Sequence, residues 1–228
     1  GNYSKIYKAI HVDKNQYVAI KFDYDEISKK LIKNEIHIYL LLRKSKIENI
    51  VNIKTYGSYK EYNYIVMQLL PCNLNEYIKK NNKYFTENNS KSKKNIYTLF
   101  LHIYNLITKL HNINIVHRDI KSDNFLLDKN DKLYITDLGL STYYNENKLY
   151  KNVIGSYLFS SYSVHKNEYN YSKKDDIISI FYMLFYLFTN KLPWLNIYIE
   201  DLNVKNLVFY NIKQKTNYIE FYKNEEFL

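Results

Sequence analysis

Apolar and polar residues alternate along the part of the chain before Pro71, and this alternation predicts short β-strands. We place these strands at residues 6–10, 17–21, 51–56 and 64–69. Between the second and third strands, apolar side chains over residues 28–43 recur every three or four positions, which predicts an amphipathic helix. The first region is therefore expected to form a small sheet with one helix.

The pattern becomes helical after Pro71. Residues Leu74–Lys80 predict a short helix, and residues 96–112 carry a long apolar stripe that predicts a second one. The segment between them, residues 81–95, is polar and rich in Lys and Asn. Such a composition between two periodic segments predicts a loop.

Two short strands, at residues 125–127 and 133–135, and a strongly apolar helix at residues 175–188 complete the predicted elements. The longest apolar run covers only residues 177–188, which is too short to span a bilayer. We therefore expect a buried core helix and no association with a membrane. The order of the elements predicts an α+β fold with a small β-rich part followed by a larger α-helical part.

The composition fits one large domain or two small lobes around a cleft, because 228 residues that are 46% hydrophobic can bury a sizeable core. With four Gly and two Pro, the chain offers no flexible linker. The single cysteine, Cys72, excludes a disulfide within the chain and a cysteine-based metal site, and it fits a reducing compartment. Because the chain begins with Gly1 rather than Met, we expect a piece that is truncated at its start.

The net charge of +10 has two interpretations. One is attraction to acidic partners such as phosphate, acidic peptides or nucleic acid. The other is a compositional bias toward Lys, Asn, Ile and Tyr, with 27 Tyr in the chain and only Arg43 and Arg118 as arginines. We favour the second interpretation because the charge is scattered. Nucleic acid is not an expected partner, since no recognition motif or arginine-rich stripe is present.

Four segments contain the candidate chemistry. In chain order they are Val18-Ala19-Ile20-Lys21, Glu35, the run His117-Arg118-Asp119-Ile120-Lys121-Ser122-Asp123-Asn124, and Asp137-Leu138-Gly139. Taken alone, a strand lysine is usually solvated and an aspartate in a loop is usually a turn residue. All four segments in this order and at these separations closely resemble the signature of eukaryotic-type protein kinases.

The resemblance implies a two-lobe protein-kinase fold over residues 1–228. The N-lobe would cover about 1–68, the hinge about 68–71 and the C-lobe about 72–228, with the last helices of the C-lobe missing because the part after Trp194 is short. The cofactors implied are ATP and Mg²⁺.

Each motif residue receives a role from the resemblance. Lys21 would hold the α- and β-phosphates of ATP, and Glu35 would fix the direction of Lys21. Asn124 and Asp137 would bind Mg²⁺, since oxygen ligands suit this cation. The catalytic residues would be Asp119, which accepts the proton of the substrate hydroxyl, and Lys121, which neutralises charge on the moving phosphoryl group.

The nucleotide pocket is assigned in the same way. Gly1 would be the second glycine of a glycine-rich loop whose third glycine is replaced by Ser4. The residues expected to contact adenine are Ile6, Ala19, Met67, Gln68, Leu70 and Leu126. Plain core packing is the alternative interpretation of the apolar members of this set.

Further residues are similar to the casein kinase I family of serine/threonine kinases. They are Met67-Gln68-Leu69-Leu70, Ser161-Tyr162-Ser163 in place of Ala-Pro-Glu, Lys173-Lys174-Asp175-Asp176 and Leu192-Pro193-Trp194. A lysine at position 121 is typical of serine/threonine kinases. Asp176 would brace the catalytic loop, and Leu138 replaces the usual Phe as an apolar plug.

The resemblance also implies protein substrates that are acidic or already phosphorylated. Arg118 and Lys151 match two basic positions of the family's anion pocket, whereas Thr142 and Leu158 replace the other two. Half the charge predicts a weaker dependence on primed substrates. We expect a monomer in the cytoplasm, the nucleus or both.

A pseudokinase or scaffold that binds without turnover is the alternative function. Ser4 and the low glycine content favour it. The complete set of motif residues opposes it, because scaffolds usually lose at least one of them.

Overall fold

A computed structural model of the protein describes residues 4–86, 89–218 and 220. Gly1, assigned to the glycine-rich loop from the sequence, lies outside these residues. The described chain has antiparallel strands in its N-terminal region and helices in its C-terminal part, which confirms the predicted α+β class.

The N-terminal region is a four-stranded antiparallel sheet in the order β1-β2-β4-β3. Its strands are β1 (Lys5–His11), β2 (Gln16–Phe22), β3 (Ile53–Tyr59) and β4 (Tyr62–Gln68). Ala19 on β2 lies opposite Met67, and Lys21 lies opposite Ile6 and Ile65. Because side chains alternate along a strand, Ala19 and Lys21 share one face of the sheet.

Helix α1 (Glu26–Lys44) packs against this sheet. Its start is fixed by a capping box in which the Ser28 N–H donates to Asp25 Oδ1 at 2.6 Å and the Asp25 N–H donates to Ser28 Oγ at 2.9 Å. Its buried face carries Ile32, Glu35 and Ile38. Glu35 is thus a carboxylate on the buried face of α1. Because this face packs against the sheet, Glu35 lies beside the sheet.

The C-terminal part is mainly helical. Its helices are α2 (Leu74–Lys80), α3 (Lys83–Thr86), α4 (Ser90–Asn112), α5 (Lys173–Thr189) and α6 (Leu202–Lys215). Seven short strands connect them: β5 (Cys72–Asn73), β6 (Ile115–Val116), β7 (Phe125–Leu127), β8 (Leu133–Ile135), β9 (Thr142–Tyr143), β10 (Leu149–Tyr150) and β11 (Tyr169–Asn170). Strands β5, β7 and β8 form a three-stranded sheet.

The prediction of a loop at residues 81–95 is wrong. Helix α3 lies inside this segment, and α4 begins at Ser90 with Asn89 as its cap, whose side chain accepts from the Ser92 N–H at 2.8 Å. The first turns of α4 expose lysines such as Lys91 and Lys94 to solvent, so the helix has no apolar stripe there. Helix α6 was also not predicted.

The main core lies between α4 and α5. Fully buried side chains from both helices meet there, including Ile103, Ile107, Leu110, Ile180 and Met183. Each such side chain contributes about 1.5–3 kcal/mol by leaving water. A smaller core joins the sheet to α1. Within the residues described, no helix has the length and apolarity needed to cross a membrane.

Candidate active site

Lys21 lies between two carboxylates. Its Nζ is 2.7 Å from Glu35 Oε2 and 2.7 Å from Asp137 Oδ1, so β2, α1 and the segment after β8 meet at one amine. Lys21 and Glu35 are buried, whereas the Asp137 side chain is 37% exposed. Asp137 is therefore the member of this group whose carboxylate is partly exposed to solvent.

Lys21 and Asp137 stabilise each other's charged forms. Burial alone would lower the pKa of Lys21, but Glu35 and Asp137 outweigh burial and hold that pKa above its ordinary value. Burial would raise the pKa of Asp137, but Lys21 outweighs it and lowers that pKa. Burial raises the pKa of Glu35, and Lys21 opposes this rise. Lys21 and Asp137 are therefore both charged at neutral pH.

A second polar group surrounds Asp119. Lys121 Nζ is 2.6 Å from Asp119 Oδ2, and Asn124 Nδ2 donates to the Asp119 carbonyl at 2.8 Å and to Oδ2 at 3.2 Å. A 3₁₀ turn at Ser122–Asn124 brings the asparagine back onto the aspartate. Burial would lower the pKa of Lys121, but Asp119 outweighs it and raises that pKa.

The backbone at this site adopts left-handed geometry at Arg118 (φ 69°) and Asp137 (φ 57°). Such geometry costs roughly 1–2 kcal/mol for a residue other than glycine. It is sustained at Arg118 by the fully buried Asp176, which accepts the N–H groups of His117 at 2.8 Å and Arg118 at 3.0 Å.

Asp176 accepts two more hydrogen bonds, one from Tyr171 Oη at 2.8 Å and one from His111 Nε2 at 2.9 Å. Burial would raise the pKa of Asp176, but its donors outweigh burial and lower that pKa. Asp176, in the first turn of α5, thus anchors the loop that carries Asp119. This is the bracing contact that the sequence analysis expected of Asp176.

Over residues 1–226 the chain matches the family model of the protein kinase domain. It belongs to the protein kinase family. The predicted kinase identity is thereby confirmed, and with it phosphotransferase activity on protein substrates.

The family generally uses ATP and Mg²⁺, and the donor set of this kinase fits the cation. Because Asn124 donates both of its hydrogen bonds to Asp119 through the amide nitrogen, its amide oxygen is left to accept a cation. The partly exposed Asp137 offers carboxylate oxygen. Within the described residues no group of three or more His, Cys, Asp or Glu is placed to hold a metal ion, and two ligands suit a Mg²⁺ that is shared with phosphates.

The predicted adenine contacts are only partly brought together. Ala19 and Met67 are buried in the smaller core, against which Leu70 and Leu126 pack. Ile6 lies opposite Lys21 but is 61% exposed and outside that core. Gln68 follows Met67 on β4, so its side chain points to the other face of the sheet.

Both predicted anion-site cations already have partners in the kinase. Arg118 Nε donates to the Leu140 carbonyl at 2.6 Å, and its guanidinium lies 5.1 Å from the centre of the Tyr150 ring. Lys151 Nζ is 3.4 Å from Glu168 Oε1 in an exposed ion pair. An incoming phosphate would have to compete with these contacts.

Asn34 is a site residue that sequence reasoning missed. Its Nδ2 donates to the carbonyls of Gly139 and Ser141, both at 2.8 Å, so α1 is fastened to the segment just after Asp137. A Cβ at Gly139 would lie 3.3 Å from the Leu31 carbonyl, which shows how closely α1 approaches there.

We expect Asn34→Ala to lower kcat/KM for ATP about thirtyfold, since loss of two hydrogen bonds worth ~1 kcal/mol each frees α1 and with it Glu35. Lys33→Ala removes an exposed neighbour on the same helix and should leave kcat/KM unchanged. Steady-state kinetics at varied ATP would measure both. Equal values for the two variants would show that Asn34 does not position α1.

Proposed function

We propose that this kinase transfers the γ-phosphate of Mg-ATP to serine or threonine hydroxyls of proteins, in the manner of casein kinase I-like enzymes. The observation that carries the proposal is that Lys21, Glu35 and Asp137 form one charged group near a second group of Asp119, Lys121 and Asn124. The two groups are close enough for the charge of Lys121 to help lower the pKa of Asp137. Phosphoryl transfer needs positioning and charge neutralisation, and these two groups offer both.

The first group suits the nucleotide. Glu35 and Asp137 fix the position of the Lys21 amine, which would donate to the phosphates. Asn124 and Asp137 would hold Mg²⁺, which supplies neutralisation of phosphate charge when it is bound. Ala19, Met67 and Leu126 would face the adenine ring.

The second group suits the acceptor. Lys121 and Asn124 orient the Asp119 carboxylate, which would accept the proton as the substrate O–H bond breaks. The hydroxyl oxygen then forms the new bond to the γ-phosphorus while the bond from phosphorus to the ADP oxygen breaks. The Lys121 ammonium would also neutralise charge on the moving group.

Acceptor identity is tested by phosphoamino acid analysis. Three peptides that differ only in Ser, Thr or Tyr at the acceptor position would be incubated with γ-labelled ATP, and Lys21→Met would supply the background. We expect label on Ser and Thr. Label on Tyr alone would contradict the proposal of serine/threonine specificity, which rests on Lys121 and on the resemblance to casein kinase I.

We propose that substrates are acidic but that priming phosphorylation matters little, because Arg118 and Lys151 are engaged by other groups. A phospho-primed peptide should exceed its unprimed form in kcat/KM by less than about tenfold, or about 1.4 kcal/mol. Glu168→Gln frees Lys151 and should increase this ratio. If the unmodified kinase had a kcat/KM about a hundredfold higher for the primed peptide than for the unprimed one, the proposal would be wrong.

A further inference from the structure

Lys213 on α6 is a buried lysine that the proposed chemistry does not use. The side chain is 0% exposed, and its amine lies 5.6, 5.0 and 5.3 Å from the ring centres of Tyr182, Trp194 and Phe209. Within the described residues it forms no ion pair with a carboxylate. Burial lowers the pKa of Lys213 well below its usual value.

The amine has three polar neighbours, all from one stretch of chain. Lys213 Nζ donates to the carbonyl of Tyr157 at 2.7 Å and to that of Ser160 at 2.6 Å, and it lies 3.1 Å from His165 Nε2. Burial, aided by Lys213, lowers the pKa of His165 to about 3, so this ring is neutral. Two backbone carbonyls thus accept from one buried amine, and the Tyr157 carbonyl also accepts from Ser160 Oγ at 3.5 Å.

A third carbonyl of the same stretch is held by Trp194, whose Nε1–H donates to the Leu158 oxygen at 2.8 Å. The N–H groups of Phe159 and Ser160 donate to the Ser156 carbonyl at 3.2 and 2.9 Å. We name residues 155–160 the floor segment. Its turn is closed internally by these N–H groups, and its carbonyls at Tyr157, Leu158 and Ser160 accept hydrogen bonds from the buried side chains of Lys213 and Trp194.

The floor segment begins against the catalytic loop. Gly155 has φ 84°, and a Cβ there would lie 2.1 Å from the Arg118 carbonyl and 3.4 Å from Asp119 Cα. Only glycine tolerates this approach. The segment therefore runs directly from Asp119 to the amine of Lys213, so a displacement at one end would shift the surface beside Asp119.

We propose that Lys213 is a positioning residue that holds the floor segment in the shape needed to dock the acceptor protein next to Asp119. This rests on the proposed function, because it takes Asp119 as the point that the acceptor hydroxyl reaches. None of the polar partners found for Lys213 in the described chain belongs to the group of Lys21, Glu35 and Asp137. Lys213 should accordingly affect acceptor binding and not nucleotide binding.

Lys213→Met tests the proposal, since methionine fits among the aromatic rings but cannot donate to the two carbonyls. We expect the KM for an acceptor Ser/Thr peptide to rise about tenfold, while the KM for ATP and the slow hydrolysis of ATP by water change less than about twofold. Lys215→Met, an exposed lysine on the same helix, should change none of these values.

Trp194→Phe keeps an aromatic ring but removes the N–H that Leu158 uses, together with part of the buried indole volume, so it provides a second variant. It should show the same split with a smaller rise in peptide KM. An unchanged peptide KM in both variants would overturn the proposal. So would an equal rise in the KM for peptide and for ATP, because that describes general loss of structure. If the unmodified kinase hydrolyses ATP but transfers no phosphate to any acceptor, the proposed function fails, and this assignment fails with it.

Discussion

Asp119→Asn is expected to lower kcat for phosphate transfer about 10²–10⁴-fold, the range that a positioned general base contributes. Asparagine keeps the size of the side chain and an oxygen that Lys121 and Asn124 can still contact, but it cannot take up the proton of the acceptor hydroxyl. Affinity for Mg-ADP should therefore stay near that of the unmodified kinase. Single-turnover transfer from labelled ATP and calorimetric binding of Mg-ADP would measure the two quantities.

Asp123→Asn is the matched control, because it removes an exposed carboxylate from the same loop. It should leave kcat within about twofold, as surface substitutions usually do. If Asp119→Asn and Asp123→Asn had similar kcat values, Asp119 would not be the base.

Asp137→Asn is expected to lower kcat/KM for ATP about a thousandfold, because charge stabilisation through a bound cation is worth several kcal/mol. Asparagine tolerates the left-handed backbone of this position, φ 57°, better than alanine does, so strain adds little. Lys21 keeps its contact with Glu35, which preserves the fold. The decisive readout is ADP binding with and without Mg²⁺: the strengthening by Mg²⁺ should be lost.

Asp131→Asn controls for the backbone geometry. Asp131 also has a left-handed backbone, φ 60°, but lies exposed in the turn before β8. Its substitution should leave the effect of Mg²⁺ on ADP binding intact. Equal strengthening by Mg²⁺ in the Asp137 and Asp131 variants would remove Asp137 from the metal site.

Strands β2 and β4 and the buried helices could be predicted from the sequence because burial of their apolar side chains creates the pattern. The meeting of Lys21, Glu35 and Asp137 could be anticipated because the kinase signature has fixed residue types at fixed separations. The start of α4 could not be found in this way. Its first turns lie outside the core, and solvent-facing Lys and Asn residues have the same composition in a helix as in a loop.

Asn34 and Lys213 were missed for another reason. Their partners are backbone carbonyls, at Gly139 and Ser141 for the asparagine and at Tyr157 and Ser160 for the lysine. A carbonyl is present at every residue, so no side-chain type marks it in the sequence. Ile6 lies on the same face of the sheet as Lys21 and is mostly exposed, so its contact with adenine stays a prediction.

We propose that the groups around Lys21 and Asp119 act together in catalysis and do not merely bind nucleotide. The decisive measurement follows label from γ-labelled ATP into a serine-containing acceptor protein at increasing Mg²⁺, with Mg-ADP affinity measured on the same sample. We predict that the unmodified kinase transfers label in proportion to its occupancy by Mg-ATP. Tight binding of Mg-ADP without any transfer would contradict the claim and identify the protein as a nucleotide-binding scaffold.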